Sequence, residues 1–223
     1  MRNERGALLI DAGTGASRLL AEPGLVAGVD RLDVVLTHFH LDHVGGLFYL
    51  AALEVPFEVW GAGEALEGTA THELVRRLLD SPFAPPGFLG AYDAVHELPV
   101  GAAEIGSFRV SSRIQRKHGN PTLALRLEDD LAWCTDTAYD AENVELARGA
   151  RVLFHEAFHA ADATDDRGHT AAGEAARLAA EAEVERLVLI HVNPEHDDED
   201  ALLAFARPHF AATDVGFDGQ EIE

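Results

Sequence analysis

The run Thr37-His38-Phe39-His40-Leu41-Asp42-His43 places three histidines and an aspartate within six positions. Imidazole nitrogen and carboxylate oxygen, with no thiolate beside them, suit Zn²⁺, Mn²⁺ or Fe, and a site short of protein ligands keeps a place for water. His38 and His40 are two residues apart, so at the end of a strand they point the same way. The chain then turns, and Asp42 and His43 face a second point close by, so the spacing suggests two adjacent metal ions rather than one. A lone histidine is usually structural. Four potential ligands in so short a run are hard to explain as packing, because burying them unpaired costs on the order of several kcal/mol.

Elements that can hold these residues flank them. Leu32-Asp33-Val34-Val35-Leu36 is apolar and β-branched, a buried strand, and Val44 to Leu50 opens a helix-like segment. A strand end that leads into a helix is where α/β proteins commonly put their chemistry. Further strands are expected at Leu8–Ile10, Phe57–Trp60, Val95–Leu98, Ala103–Ile105, Phe108–Gln115, Thr122–Leu127, Leu131–Thr135, Arg151–Phe154 and Arg186–Ile190. A tight polar turn is expected at Glu128-Asp129-Asp130. Helices are expected over Gly63–Asp80, Thr170–Glu183 and Asp198–Arg207, with a last hairpin or strand over Phe217–Ile222. The proline-rich stretch Ser81–Gly90 reads as an apolar loop, either walling a pocket or serving as a stiff connector. Three strands of the second half also lead to a metal-binding residue type: His118, Asp136 and His191. With His38, His40, Asp42 and His43 they make seven ligands, enough for two metals with one carboxylate bridging.

Composition narrows the class. The 223 residues are 47% hydrophobic, enough for a proper core, and lack an apolar run of the length a membrane span needs. The charged start, Met1 to Gly6, is not a signal peptide. Cys134 is the single cysteine, so no intramolecular disulfide can form, which fits a cytoplasmic protein. The formal net charge of −22 repels polyanions, and only Arg109, Arg113, Arg116 and Lys117 approach a basic cluster. Long nucleic acid is therefore not the expected partner.

Taken together, the motifs resemble the metallo-β-lactamase superfamily, and within it the ribonuclease Z-like branch. Leu9-Ile10-Asp11-Ala12-Gly13 matches the first strand of that family, Cys134-Thr135-Asp136-Thr137 an aspartate segment, and Phe154-His155-Glu156-Ala157 a His-Glu-Ala segment. Gly168-His169-Thr170-Ala171, His191 and Phe217-Asp218-Gly219 match the remaining ones. The resemblance implies a single domain over residues 1–223 with an α/β, αββα sandwich fold. It implies that His38, His40 and His118 hold the first metal, Asp42, His43 and His191 the second, and that Asp136 bridges. It implies metal-assisted hydrolysis, usually of phosphodiesters. Asp42 resembles the residue that takes the proton from the attacking water. Glu156 and His169 resemble the pair that protonates the leaving oxygen, with Glu156 orienting His169. His155 is expected to support them. His159 and His196 are weaker candidates, and His72, His96 and His209 read as ordinary histidines.

Two departures from the family bear on function. The family begins with a glycine-rich hairpin ahead of its first strand, whereas here that strand starts almost at once, so the hairpin is missing or shortened. An uncovered edge invites pairing with a second copy, a homodimer. The basic arm with which tRNA-processing relatives clamp their substrate has no counterpart, since only 18 positions separate His118 from Asp136. The reading is therefore a cytoplasmic hydrolase with two divalent metals, Zn²⁺ foremost and Mn²⁺ or Fe as alternatives, acting as a phosphodiesterase on a small or nucleotide-like substrate. The alternatives are tRNA 3′-processing, hydrolysis of a lactone, thioester or sulfate ester, and, from another class, a metal-binding or redox-sensing scaffold without catalysis.

Overall fold

A computed structural model describes the chain except for Asp93, Asp129, residues 162–167 and 194–197, and Glu223. The expectations for His196 and for Asp129 in its turn lie outside the described residues. The chain forms two compact units, Met1–Arg109 and Val110–Glu223.

The first unit is built on four strands, β1 (Ala7–Ile10), β2 (Leu32–Val35), β3 (Phe57–Gly61) and β4 (Ala94–Glu97), hydrogen-bonded in that order. All three pairings are parallel, with Leu9 opposite Val34 and Val34 opposite Val59. A parallel sheet is covered on its faces and reads as continuous apolar runs, and Val34, Val35 and Val59 are fully buried. Helices α1 (Arg18–Ala21), α2 (Leu41–Val44), α3 (Leu47–Leu50), α4 (Gly63–Glu67) and α5 (Thr71–Leu78) complete this unit, together with β5 (Ala102–Ile105).

The sequence predicts one helix over Gly63–Asp80, but two form. Gly68 adopts φ +64 after α4, a left-handed residue that ends a helix, and α5 restarts at Thr71. The edge of β1 also differs from expectation. Met1 and Leu8 exchange backbone hydrogen bonds at 2.8 Å, and Arg2 bridges Ala7 in antiparallel sense. The chain's own start is a one-rung hairpin on β1, so the edge proposed for pairing with another copy is shorter than the sequence implied.

β6 (Phe108–Gln115) carries the chain into the second unit. There the strands are β7 (Thr122–Leu127), β8 (Leu131–Cys134), β9 (Val152–Glu156), β10 (Arg186–Ile190) and β11 (Thr213–Val215), in the order β11-β10-β9-β8-β7-β6. β7 is antiparallel to both β6 and β8, and β8, β9, β10 and β11 are mutually parallel. β6, β8, β9 and β10 therefore all run the same way, and their C-terminal ends share one sheet edge. Helices α6 (Glu142–Ala147), α7 (Ala172–Glu181) and α8 (Glu199–Ala206) belong to this unit. Ala172, Ala175, Ala176 and Ala179 of α7 are fully buried in its core with Leu153, Leu187 and Leu189. Side chains this small let the helix axis approach the strands closely. Asp198 caps α8 by accepting the amide of Ala201 at 3.0 Å. The final strand forms at Thr213–Val215 rather than over Phe217–Ile222, where Phe217 and Gln220 close a turn instead.

Candidate functional site

The predicted residues fall into two groups, one per unit, and each group is assembled by strand ends. In the first unit β2 stops at Val35 and the chain runs through Thr37 and His38 into α2, whose N-cap is His40. The rings of His38 and His40 lie 4.5 Å apart, and those of His38 and His43 lie 4.2 Å apart. His43 Nε2 stands 3.5 Å from an Asp42 carboxylate oxygen. His38 and His43 are buried, while the Asp42 side chain is 64% exposed and open to a reactant.

One residue organises this group that the sequence analysis did not single out. Asp11 follows β1 with φ +57, a sparsely populated conformation for a non-glycine residue. One carboxylate oxygen accepts the Thr37 amide at 2.7 Å, and the other accepts the Thr37 hydroxyl at 2.8 Å and contacts His43 Nδ1 at 2.8 Å. A carboxylate on Nδ1 fixes the tautomer and leaves Nε2 with its lone pair outward, as a metal-ligating histidine requires. The signal available in the sequence was an Asp-Ala-Gly at a strand end. Two glycines permit the approach: a Cβ on Gly46 would sit 1.8 Å from the Gly13 carbonyl oxygen, and one on Gly13 2.2 Å from that of Asp42.

In the second unit His118, Asp136, Glu156 and His191 lie at or just beyond the ends of β6, β8, β9 and β10, the shared edge described above. Asp136 and His191 both take φ +49. Such strain collects at functional sites when the surroundings over-determine it. They do so here. Thr135 donates to the Asp136 carboxylate at 2.6 Å, and Thr122 donates to its backbone carbonyl. Gln115 holds Thr122 and the Thr135 carbonyl, Asn143 donates to Gln115, and Arg113 donates to Asn143 and to Asp140. Arg113 is thus part of a polar brace behind Asp136, not part of a basic face.

His118 Nε2 is 3.9 Å and His191 Nε2 3.6 Å from the two Asp136 carboxylate oxygens. Donor atoms of Glu156, His169 and His191 all lie within 4.8 Å of one another. Nδ1 of His169 meets a Glu156 carboxylate oxygen at 2.8 Å, and the other oxygen accepts the Thr137 amide. Burial holds the Glu156 carboxyl well above the usual carboxylate range, opposed by the Thr137 amide. The 2.8 Å contact orients the His169 ring. Phe158 stacks on His169 with ring centroids 4.3 Å apart. Gly168, at φ +83, is required because a Cβ there would come 2.2 Å from the Lys117 carbonyl oxygen.

Of the remaining histidines, His155 is fully buried, points its Nδ1 at the Glu156 carbonyl at 2.9 Å, and is driven by burial to about 4. His96 is paired with Glu58 at 2.9 Å and stacked on Trp60. His72 and His209 are exposed. Burial pushes the Cys134 thiol up to about 12. No helix among the described residues is long and apolar enough to cross a membrane.

The donor set, histidine nitrogen and carboxylate oxygen brought close in each unit, fits divalent metal ions. Comparison with known proteins agrees. The family described as β-lactamase superfamily domain matches residues 7–192. Ribonuclease Z of Nocardia farcinica is 29% identical, over 95% of this chain and 86% of that protein. Ribonuclease Z of Methanothermobacter thermautotrophicus is 25% identical, over 96% and 86%. The match to ribonuclease Z of Prochlorococcus marinus (strain NATL1A) is higher, at 38%, but spans only 30% of this chain and 22% of the relative. Among solved structures, the metallo-β-lactamase fold protein YhfI from Bacillus subtilis superposes with a TM-score of 0.73 at 21% identity, covering 96% of this chain and 85% of that one. A diphosphatase from the PhnP family gives 0.70 at 16% identity, covering 97% and 79%. The fold is the metallo-β-lactamase fold, an α/β sandwich.

Proposed function

The chain belongs to the β-lactamase superfamily, and from that premise we propose that it is a metal-dependent phosphodiesterase for a small or nucleotide-like substrate. The observation that carries the reading is the buried Glu156–His169 contact at 2.8 Å next to His191. Ester hydrolysis needs a proton delivered to the leaving oxygen, and a histidine fixed by a buried carboxylate is built to deliver it.

In this reading residues 1–223 are one hydrolase domain. His38, His40 and His118 would hold one divalent ion and Asp42, His43 and His191 a second, with Asp136 available to both. Zn²⁺ is the foremost candidate for this donor set. When bound, such ions supply Lewis acidity and lower the pKa of water. The chain's own residues do the rest. Asp42, with its exposed carboxylate, takes the proton from the attacking water. Asp11 keeps His43 in register. His169 gives the proton from Nε2 to the departing alkoxide while Glu156 holds Nδ1.

The relatives named ribonuclease Z favour a second reading, 3′-processing of tRNA. The net charge of −22 and the engagement of Arg113 by Asp140 and Glu142 weigh against it. A redox-sensing role finds little support in Cys134, which is fully buried. The single buried cysteine is in line with a cytoplasmic setting. The test is a panel of substrates on protein reloaded with Zn²⁺: a chromogenic phosphodiester, a phosphomonoester, a thioester, a lactone and a tRNA precursor. The diester is expected to turn over and His169→Ala to reduce the rate about 10²–10⁴-fold. Turnover of only the thioester or lactone, or of only the tRNA precursor, would overturn the proposal.

A further inference from the structure

The hydrogen bonds behind Asp136 run in one direction, and Arg113 sets it. A guanidinium carries donors only, whereas a side-chain amide can be turned either way. Arg113 donates to the Asn143 oxygen, so the Asn143 nitrogen faces Gln115 and donates to its oxygen at 2.6 Å. The Gln115 nitrogen therefore faces the other way. It donates to the Thr122 hydroxyl at 2.9 Å and to the Thr135 carbonyl at 3.0 Å. Thr122, accepting from Gln115, gives its single proton to the Asp136 carbonyl at 3.1 Å. Asp140 and Glu142 hold the outer end of Arg113. Gln115, Thr122 and Asn143 are fully buried, so bulk water does not stand in for a missing member.

We propose that Arg113, Asn143, Gln115 and Thr122 are positioning residues for Asp136. Their relay dictates the backbone turn that aims the Asp136 carboxylate, and so sets how tightly the chain holds divalent ions. The proposal rests on the reading of Asp136 as a metal ligand and deepens it. The relay ends where the backbone needs support. Asp136 takes φ +49, a conformation that a non-glycine residue keeps only when its surroundings over-determine it. Two bonds of the relay fix that turn, one at the Thr135 carbonyl and one at the Asp136 carbonyl. Held this way, one Asp136 oxygen faces His191 Nε2 at 3.6 Å and the other faces His118 Nε2 at 3.9 Å. A packing role asks only for volume at Asn143 and Thr122. The relay asks for polarity of a stated sign at each, and that difference is measurable.

The experiment measures Zn²⁺ affinity of the metal-stripped full chain by competition with a chromophoric chelator, with urea unfolding of the same samples as the check on folding. Asn143→Asp keeps the shape and the Arg113 partner but turns the nitrogen that faces Gln115 into an acceptor. The Gln115 amide must then flip and set its oxygen against the Thr135 carbonyl. Zn²⁺ affinity is expected to fall about 10–100-fold. Thr122→Val keeps the shape, loses the hydroxyl and should fall alike. Thr122→Ser loses a methyl, keeps the hydroxyl and should stay close to the natural protein. A packing role predicts the reverse order for the two Thr122 variants, and that pair decides alone should Asn143→Asp unfold. Equal affinity in every folded variant, or Thr122→Ser weaker than Thr122→Val, would overturn the relay while leaving the hydrolase reading intact. A natural chain that binds no Zn²⁺ would overturn both. The expected losses of affinity, with no hydrolysis of bis(p-nitrophenyl) phosphate by the loaded natural protein, would support the relay and overturn the phosphodiesterase reading.

Discussion

Asp11 does the most for the least sequence signal. Its carboxylate holds Thr37 on one side and His43 Nδ1 on the other, so two turns of chain are registered through one side chain. Asp11→Asn keeps the volume but loses the anion that fixes the His43 tautomer. We expect Zn²⁺ affinity to fall about 10–100-fold, read by competition with a chromophoric chelator. His155 makes a separate prediction about pH. Burial depresses it from 6.5 to about 4, so the unfolded chain binds its proton first as pH falls. Its stabilising share is complete above pH 6.5 and is lost between there and pH 4, up to about 3 kcal/mol. Urea unfolding at pH 7 and pH 5 should show a shallower pH dependence in His155→Leu than in the natural protein. An unchanged slope would mean that His155 is not buried in its neutral form.

At the scale of elements, the strand ends dictate the site. The strands themselves were legible, because Leu32–Leu36 and Arg186–Ile190 are short apolar runs ahead of candidate ligands and the alternation in Thr122–Leu127 is plain. What it hid has physical causes. The break between α4 and α5 depends on one left-handed glycine inside an otherwise helical pattern, and Gly68 carries no mark that separates it from a tolerated helical glycine. α6 is only six residues long and was not predicted; Asn143 and Ala147 are fully buried, and Asn143 donates to Gln115 of β6 in the brace behind Asp136. The brace of Arg113, Gln115, Asn143 and Thr122 joins residues up to 30 positions apart, a separation no local pattern reports. The close approach of the Asp11–Gly13 turn to the α2–α3 junction is likewise non-local. It gives the element-scale prediction: Gly46→Ala must displace a backbone carbonyl 1.8 Å from the new Cβ. The loss should be about 3 kcal/mol or more by chemical denaturation, with metal binding impaired even where the protein folds. Gly168→Ala should behave alike in the second unit, since it meets both a left-handed φ and the Lys117 carbonyl.

At the scale of the whole molecule, charge supports the small substrate proposed above over a large polyanionic one. With 39 acidic against 17 basic side chains the surface repels a polyphosphate, so tRNA-sized RNA should show no gel-shift at micromolar protein in physiological salt. The central claim is that paired divalent ions, held by histidines and aspartates at the strand ends, make this chain a hydrolase. The direct measurement titrates Zn²⁺ into metal-stripped protein while following hydrolysis of bis(p-nitrophenyl) phosphate and the bound metal in the same sample. The account predicts no turnover in stripped protein, a rise that saturates at two bound ions per chain, and loss of that rise in Asp136→Ala. Undiminished turnover without metal, or two bound ions with no turnover, would contradict it.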